Sequence, residues 1–310
     1  MTQPARPPFA TMNGCIVPFE KATISIMAPG LTFSVLAFEG LRGYWNSVHE
    51  QLYVFRAPEH MARLAFSSRV IEIDGIPDGQ ALTAQMTELA RACEMRKDCY
   101  VRIQAYIDEW GDMSAHGPVA TSIICRPRGR VKSFDEGMHF RVSSWRRLPD
   151  DVSPPRIKAS ANYLNSRLAG LEAKRDGYDS AVILNRDGTV SEGPGGCIFM
   201  LRGGDWITSP VTAGILESIT RRTLIEVARD VGPSVIERDI DRTELYDAEE
   251  AFYCGTGQEI VPILSVDRKP VGDGRPGGET RRLQAHYDAL VRGNLAQYRD
   301  WLTPVWGEPQ

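Results

Sequence analysis

The chain carries only six lysines among 310 residues, with arginines about five times as numerous. One of the six, Lys158, follows Pro154-Pro155-Arg156-Ile157 and opens the stretch "KASANYLNSRLAGLEAKRDGYD", five residues ahead of Tyr163. Most lysines are solvated surface charges, yet "IKASANY" lacks the other charges usual on a solvated face. An amine can lose its proton on burial and bond to a carbonyl carbon, neither of which a guanidinium does at working pH. Lys158 is therefore a candidate Schiff-base nucleophile.

Three further segments are suited to an anion. Ser218-Ile219-Thr220 opens a helical pattern, where unsatisfied N–H groups and the positive dipole end favour a phosphate. Gly255-Thr256-Gly257 offers a hydroxyl and flexible backbone in a strand-to-loop turn, and Arg63 stands on a helical pattern in "EHMARL". Each alone is a common feature of helix starts, turns and surfaces. Together with an imine-forming lysine they point to pyridoxal phosphate. That cofactor needs an acid opposite its pyridine nitrogen to keep the ring an electron sink. Glu192, in "VSEGPGG" at a strand end, is the candidate.

These residues need elements to carry them. "QLYVFR" has strand patterning, followed by a helix in "PEHMARLAFSSRV" with Pro58 expected at its first position. Leu82, Met86, Leu89 and Cys93 predict an amphipathic helix over 79–97, and "CYVRIQAYID" and "VATSIIC" predict strands. The polar stretch "RPRGRVKSFDEG" divides an α/β domain of 1–125 from a domain of 137–310, with 126–136 as the connection. Beyond it, "HFRVSSWRR" predicts a strand. Leu164, Leu168 and Leu171 predict the apolar stripe of a helix ending near Gly177. "SAVILN", "TVSEG", "CIFMLR", "DWITS" and "EEAFYC" predict short strands. Ser218 and Gly232 bracket a further helix, and a last helix is expected over 279–301.

Composition narrows the function. A net charge of −4 gives no basic field for nucleic acid. No apolar run is long enough to span a membrane, and the N-terminus lacks a signal-peptide core, so the cytoplasm is expected. The six cysteines show no CxxC spacing and the five histidines no HExxH, so neither disulfides nor a metal are expected.

The ordered blocks "FEGLRGY" (38–44), "FRAPEHMARL" (55–64), "YVR" (100–102), "KASANYLNSRLAGLEAKRDGYD" (158–179), "SEGPGG" (191–196), "SITR" (218–221) and "CGTGQEI" (254–260) closely resemble the class IV aminotransferases. These are the fold-type IV pyridoxal-phosphate enzymes, and the nearest branch is the branched-chain amino acid aminotransferases. The resemblance spans about residues 10–290. It implies a two-domain α/β (α+β) fold, a small α/β domain and a larger β-barrel-like domain, with the cofactor between them. It implies that Lys158 bonds the cofactor and later carries the proton, that Tyr163 bonds the ring hydroxyl oxygen, and that Glu192 faces the ring nitrogen. Arg63, Ile219, Thr220 and Thr256 match the phosphate cup. Tyr100, Arg102, Thr256 and Gly257 match positions around substrate carboxylates, and Phe38 and Arg42 line the side-chain pocket. Phe33 matches a residue contributed across a homodimer interface. The implied reaction moves an amino group from an apolar amino acid to a 2-oxo acid such as 2-oxoglutarate.

The substrate walls depart from that branch. Phe33-Ser34 stands for a tyrosine-glycine, Ile103 for a proline after the arginine, Gly196-Cys197 for glutamate-asparagine, and Glu217-Ser218 for proline-glycine. On these residues a D-amino acid or (R)-amine aminotransferase and a lyase of the aminodeoxychorismate type remain alternatives. A non-catalytic cofactor-binding protein is disfavoured by Lys158, Tyr163 and Glu192 together.

Overall fold

Two β-sheets frame this protein, and a computed structural model describes residues 6–307. Contacts group the chain into two units that do not follow its linear order. Residues up to Gly129, Ile157–Ala161 and those from Ala289 onward form the first, and Arg130–Arg156 with Asn162–Asp288 form the second.

The first unit holds a seven-stranded sheet. At its centre Leu36–Asn46 pairs antiparallel with Gln51–Phe55 on one side and Cys99–Ile107 on the other, and Val119–Pro127 continues beyond. Ala37, Leu41, Val101, Ile103, Ala105, Ile123 and Cys125 alternate onto one face and bury a core. Helices Ala57–Val70 and Gly79–Ala92 cover that core with Met61, Leu64, Leu82, Met86 and Leu89. The first of these helices begins at Ala57, one residue before the expected start, so Pro58 is its second residue. Proline is tolerated there because no helical acceptor exists for its missing N–H. Asp78 caps the second through an Oδ1 that accepts the Ala81 N–H at 2.8 Å.

The second unit is built on a nine-stranded sheet. Met138–Arg146 runs parallel to Ser180–Leu184 and to Glu259–Val266, while Cys197–Arg202, Asp205–Thr208 and Glu250–Gly255 pair antiparallel in series. The sheet curls until its ends meet. The Val190 N–H donates to Ile240 O at 2.8 Å, and Thr189 bridges Asp241. This curl is the barrel-like form expected.

Two expectations are corrected. The helix Tyr163–Arg175 buries Asn165, Ser166, Ala169 and Ala173, whereas Leu164 and Leu171 are 63% and 42% exposed. Leucine spacing identified the helix but the wrong face, because small residues let the helix lie close on the sheet strands Met138–Arg146 and Ser180–Leu184. The last helix is also shorter than expected. Gly278–Val291 ends at Gly293, whose φ of +76° breaks the helical path, and Ala296–Trp301 is a separate 3-10 turn. Among the described residues, all six cysteines are free thiols and no helix is long and apolar enough to cross a membrane.

Candidate active site

The strand Leu36–Asn46 sorts its side chains by alternation. Phe38, Gly40 and Arg42 project to the face opposite the core, and the register sets Arg42 against Tyr100, Gly40 against Arg102 and Phe38 against Gln104. The proposed pocket residues Phe38 and Arg42 and the proposed carboxylate-side residues Tyr100 and Arg102 therefore share one sheet face. A Cβ at position 40 would collide with the Tyr100 hydroxyl, so glycine is what lets that ring lean across the strand. Arg102 donates from Nε to Gln104 Oε1 at 2.9 Å and lays its guanidinium 3.9 Å from the Phe38 ring centre. Arg42 is almost wholly buried and donates to Gly129 O at 3.2 Å.

Lys158 meets this face from a separate segment of the same unit. Its N–H donates to Ser67 Oγ at 2.9 Å, its carbonyl accepts the Phe38 N–H at 3.0 Å, and Ala159 bridges Ala37. These backbone contacts hold the segment as one rung beside the strand, and Lys158 Nζ lies 5.0 Å from the Phe38 ring centre. Phe33 is placed differently. It is half-exposed on the loop after the short helix Pro29–Thr32, and the carbonyl of its neighbour Ser34 accepts a 3.3 Å bond from Ser160.

Arg63 occupies the core side of the same strand. Its Nε and Nη2 donate to the two oxygens of Glu39 at 2.6 and 2.9 Å, and His60 Nδ1 lies 2.6 Å from Glu39 Oε2. Burial alone would raise the Glu39 pKa, but the Arg63 charge and the hydrogen bonds outweigh it and hold the carboxyl well below its ordinary range. Burial lowers the His60 pKa, against the pull of Glu39, and its Nδ1 faces the acceptor-only carboxylate as a donor.

In the second unit, Tyr163 is the first residue of its helix, following Asn162, which donates to Pro154 O at 2.8 Å. Glu192 ends a short strand, 5% exposed, with Oε1 2.8 Å from Arg147 Nη2 and Oε2 accepting the Leu216 N–H at 3.4 Å. Arg147 is equally buried and donates from Nε to Gly214 O at 3.2 Å. The glycine turn after Glu192 packs tightly: a Cβ on Gly196 would strike Cys254 O. Tyr253 Oη accepts the Gly195 N–H at 2.7 Å, and burial raises its pKa far above the ordinary tyrosine range.

Ser218 caps the helix Ile219–Val231 by accepting the Arg221 N–H at 3.2 Å. The N–H groups of Ile219 and Thr220 stand ahead of the helical ladder, at its positive end. Thr256 and Gly257 follow directly on the strand Glu250–Gly255.

Each unit by itself carries donors of a kind that suits pyridoxal phosphate: an amine and a guanidinium in the first, helix-start amides, a phenol and a carboxylate in the second. Among the described residues, two buried polar atoms without a protein partner, Arg147 Nη1 and Ser191 Oγ, belong to the ion-pair partner and the chain neighbour of Glu192. Sequence reasoning missed Glu39, His60, Arg147 and Tyr253. Only Glu39 left a signal: an acid at a position that alternation assigns to the core.

The class IV amino-transferase family model matches residues 36–266. A probable branched-chain-amino-acid aminotransferase of Aquifex aeolicus is 38% identical over 302 residues, covering 96% of this chain and 97% of that one. The structure of the branched-chain amino acid aminotransferase from Thermobaculum terrenum in its PLP form superposes with a TM-score of 0.92 at 42% identity, covering 97% and 99% of the two chains. That of the branched-chain aminotransferase from Thermoproteus uzoniensis with norvaline gives 0.92 at 38%, covering 97% and 100%. With its blocks collinear and its length matched end to end, this chain belongs to the class IV aminotransferases.

Proposed function

We propose that this aminotransferase uses pyridoxal phosphate to move the amino group of a branched-chain or similarly apolar L-amino acid to a 2-oxo acid such as 2-oxoglutarate. Bound pyridoxal phosphate supplies an aldehyde and an electron-withdrawing ring. Lys158 would hold that aldehyde through its amine and, when free, would carry the proton to and from the substrate's α-carbon. Arg63, the amides of Ile219 and Thr220, and Thr256 would hold the phosphate. Tyr163 would donate to the ring hydroxyl oxygen, and Glu192 would keep the ring nitrogen protonated, as a carboxylate beside a cation does.

The observation that carries the substrate reading is the sheet face beside Lys158. Phe38 gives an apolar wall for an aliphatic side chain, and Arg102, stacked on that same ring, gives a cation for a distal carboxylate. A pocket that must take leucine in one half-reaction and glutamate in the other needs both. Arg42 completes the wall, and Tyr100, Thr256 and Gly257 stand with Arg102 around the substrate carboxylates. The enzyme acts as a cytoplasmic homodimer in which Phe33 reaches the neighbouring subunit. Ile26, Leu31 and Phe33 in that region are 79%, 57% and 48% exposed, which suits a covered surface.

A donor panel in both enantiomers, run with 2-oxoglutarate and with pyruvate, tests the reading. L-leucine, L-isoleucine and L-valine with 2-oxoglutarate are expected to lead. A panel led by D-amino acids or by amines lacking a carboxylate, or release of pyruvate without amino transfer, would overturn it.

A further inference from the structure

Glu39 is a fully buried carboxylate on the core side of a strand whose other core-facing residues are apolar. One of its oxygens accepts from Arg63 Nε, and the other accepts from Arg63 Nη2, from His60 and, at 3.3 Å, from the Gly40 N–H. His60, Arg63 and Ser67 lie at helical spacing on one face of Ala57–Val70, and Ser67 holds the Lys158 backbone. The same helix face thus carries the lysine's anchor and the guanidinium assigned to the phosphate.

A purely structural staple is the competing explanation. Buried ion pairs are poor sources of stability, since hydrophobic residues of similar volume serve as well or better. What a two-point carboxylate–guanidinium contact does supply is orientation, because it fixes the plane of the fork.

We propose that Glu39, oriented by His60, is the positioning residue that fixes the Arg63 guanidinium for the cofactor's phosphate. This rests on the assignment of Arg63 to the phosphate. Glu39 itself touches neither cofactor nor substrate. Its carboxylate, an acceptor for every neighbouring N–H, admits one arrangement of Arg63 against the strand. A glutamine of the same shape would turn an N–H toward one of those donors and swing the guanidinium away. Preorganisation of this kind changes affinity without adding a contact.

The test is binding of pyridoxal phosphate and of pyridoxal to the apoenzyme, followed by absorbance, with the ratio of the two affinities as the readout. Arg63→Ala comes first and should lower the ratio. An unchanged ratio there would remove Arg63 from the phosphate, and the proposal with it. Given that fall, Glu39→Gln should lower the ratio on the order of tenfold, as for a lost charged hydrogen bond, while pyridoxal affinity stays the same. Adding Glu39→Gln to Arg63→Ala should change nothing further. A folded Glu39→Gln protein with an unaltered or raised ratio, or with equal losses for both ligands, overturns the proposal. Should Glu39→Gln not fold, His60 decides. His60→Leu should lower the ratio about threefold, since it removes one of several bonds to the carboxylate. His60→Gln, whose amide still donates, should restore it. Wild-type ratios in both His60 variants would equally overturn it.

Discussion

Replacing Arg102 separates the two substrates this enzyme must share one site between. In the structure its guanidinium is held at two places, by Gln104 at 2.9 Å and over Phe38 at 3.9 Å. On the proposed assignment, these contacts would orient it for a distal carboxylate before any substrate arrives. Arg102→Leu removes a charged hydrogen bond to glutamate or 2-oxoglutarate, about 1.5–3 kcal/mol, which is roughly 10- to 150-fold in kcat/KM. Leucine makes no such bond. Its half-reaction should lose only the stacking of Arg102 on Phe38, about 0.5–1 kcal/mol, or at most about fivefold. Arg102→Lys keeps the charge but not the planar fork and should fall between. The two half-reactions are measured separately, the enzyme with L-leucine and its aminated form with 2-oxoglutarate, each followed by the cofactor's absorbance. Equal losses in both halves, or a larger loss with leucine, would refute the assignment of Arg102 to the distal carboxylate.

Lys158→Ala should bind pyridoxal phosphate without a covalent link and lose several orders of magnitude in rate, because nucleophile and proton carrier vanish together. In the wild type, borohydride should fix the cofactor's mass on the peptide containing residue 158, and labelling at another lysine would refute the role. Stability should fall on acidification, by two groups of the same sign. His60 has its pKa depressed in the fold, so the unfolded chain takes up its proton first as pH drops below about 6.5. Glu39 is also depressed, so its contribution is present above the unfolded value of about 4.3 and is lost below it. Melting temperature against pH should therefore decline from pH 7 downward, with the steepening below about 4.3 reduced in Glu39→Gln. A flat or rising profile would contradict both assignments. On the helix Tyr163–Arg175, Leu164→Gln should change stability by no more than about 0.5 kcal/mol. Ala169→Leu, at a fully buried position, should cost about 1–3 kcal/mol by overpacking. Urea melts of the two variants check the reversal of faces.

Much of the site was legible in the chain because its chemistry is local. A helix start such as Ser218-Ile219-Thr220 exposes amides whatever surrounds it, and the collinear blocks around Lys158, Glu192 and Thr256 carry the family in their residue types. Strand alternation likewise predicts that Tyr100 and Arg102 share a face, since every second side chain of a strand must. Tertiary structure decided whatever depends on which element lies across from which. The leucines of Tyr163–Arg175 have perfect helical spacing, yet the sheet accepts the alanine face, and spacing is identical for a stripe turned inward or outward. Lys158 joins the unit of Phe38 and Ser67 although nearly all its chain neighbours lie elsewhere, through backbone bonds to residues more than ninety positions away. Arg147 beside Glu192, and Glu39 beneath Arg63, are pairs between distant segments. Such a pair has no period or motif to announce it. It exists only because folding removes water from both charges and leaves each as the other's nearest partner.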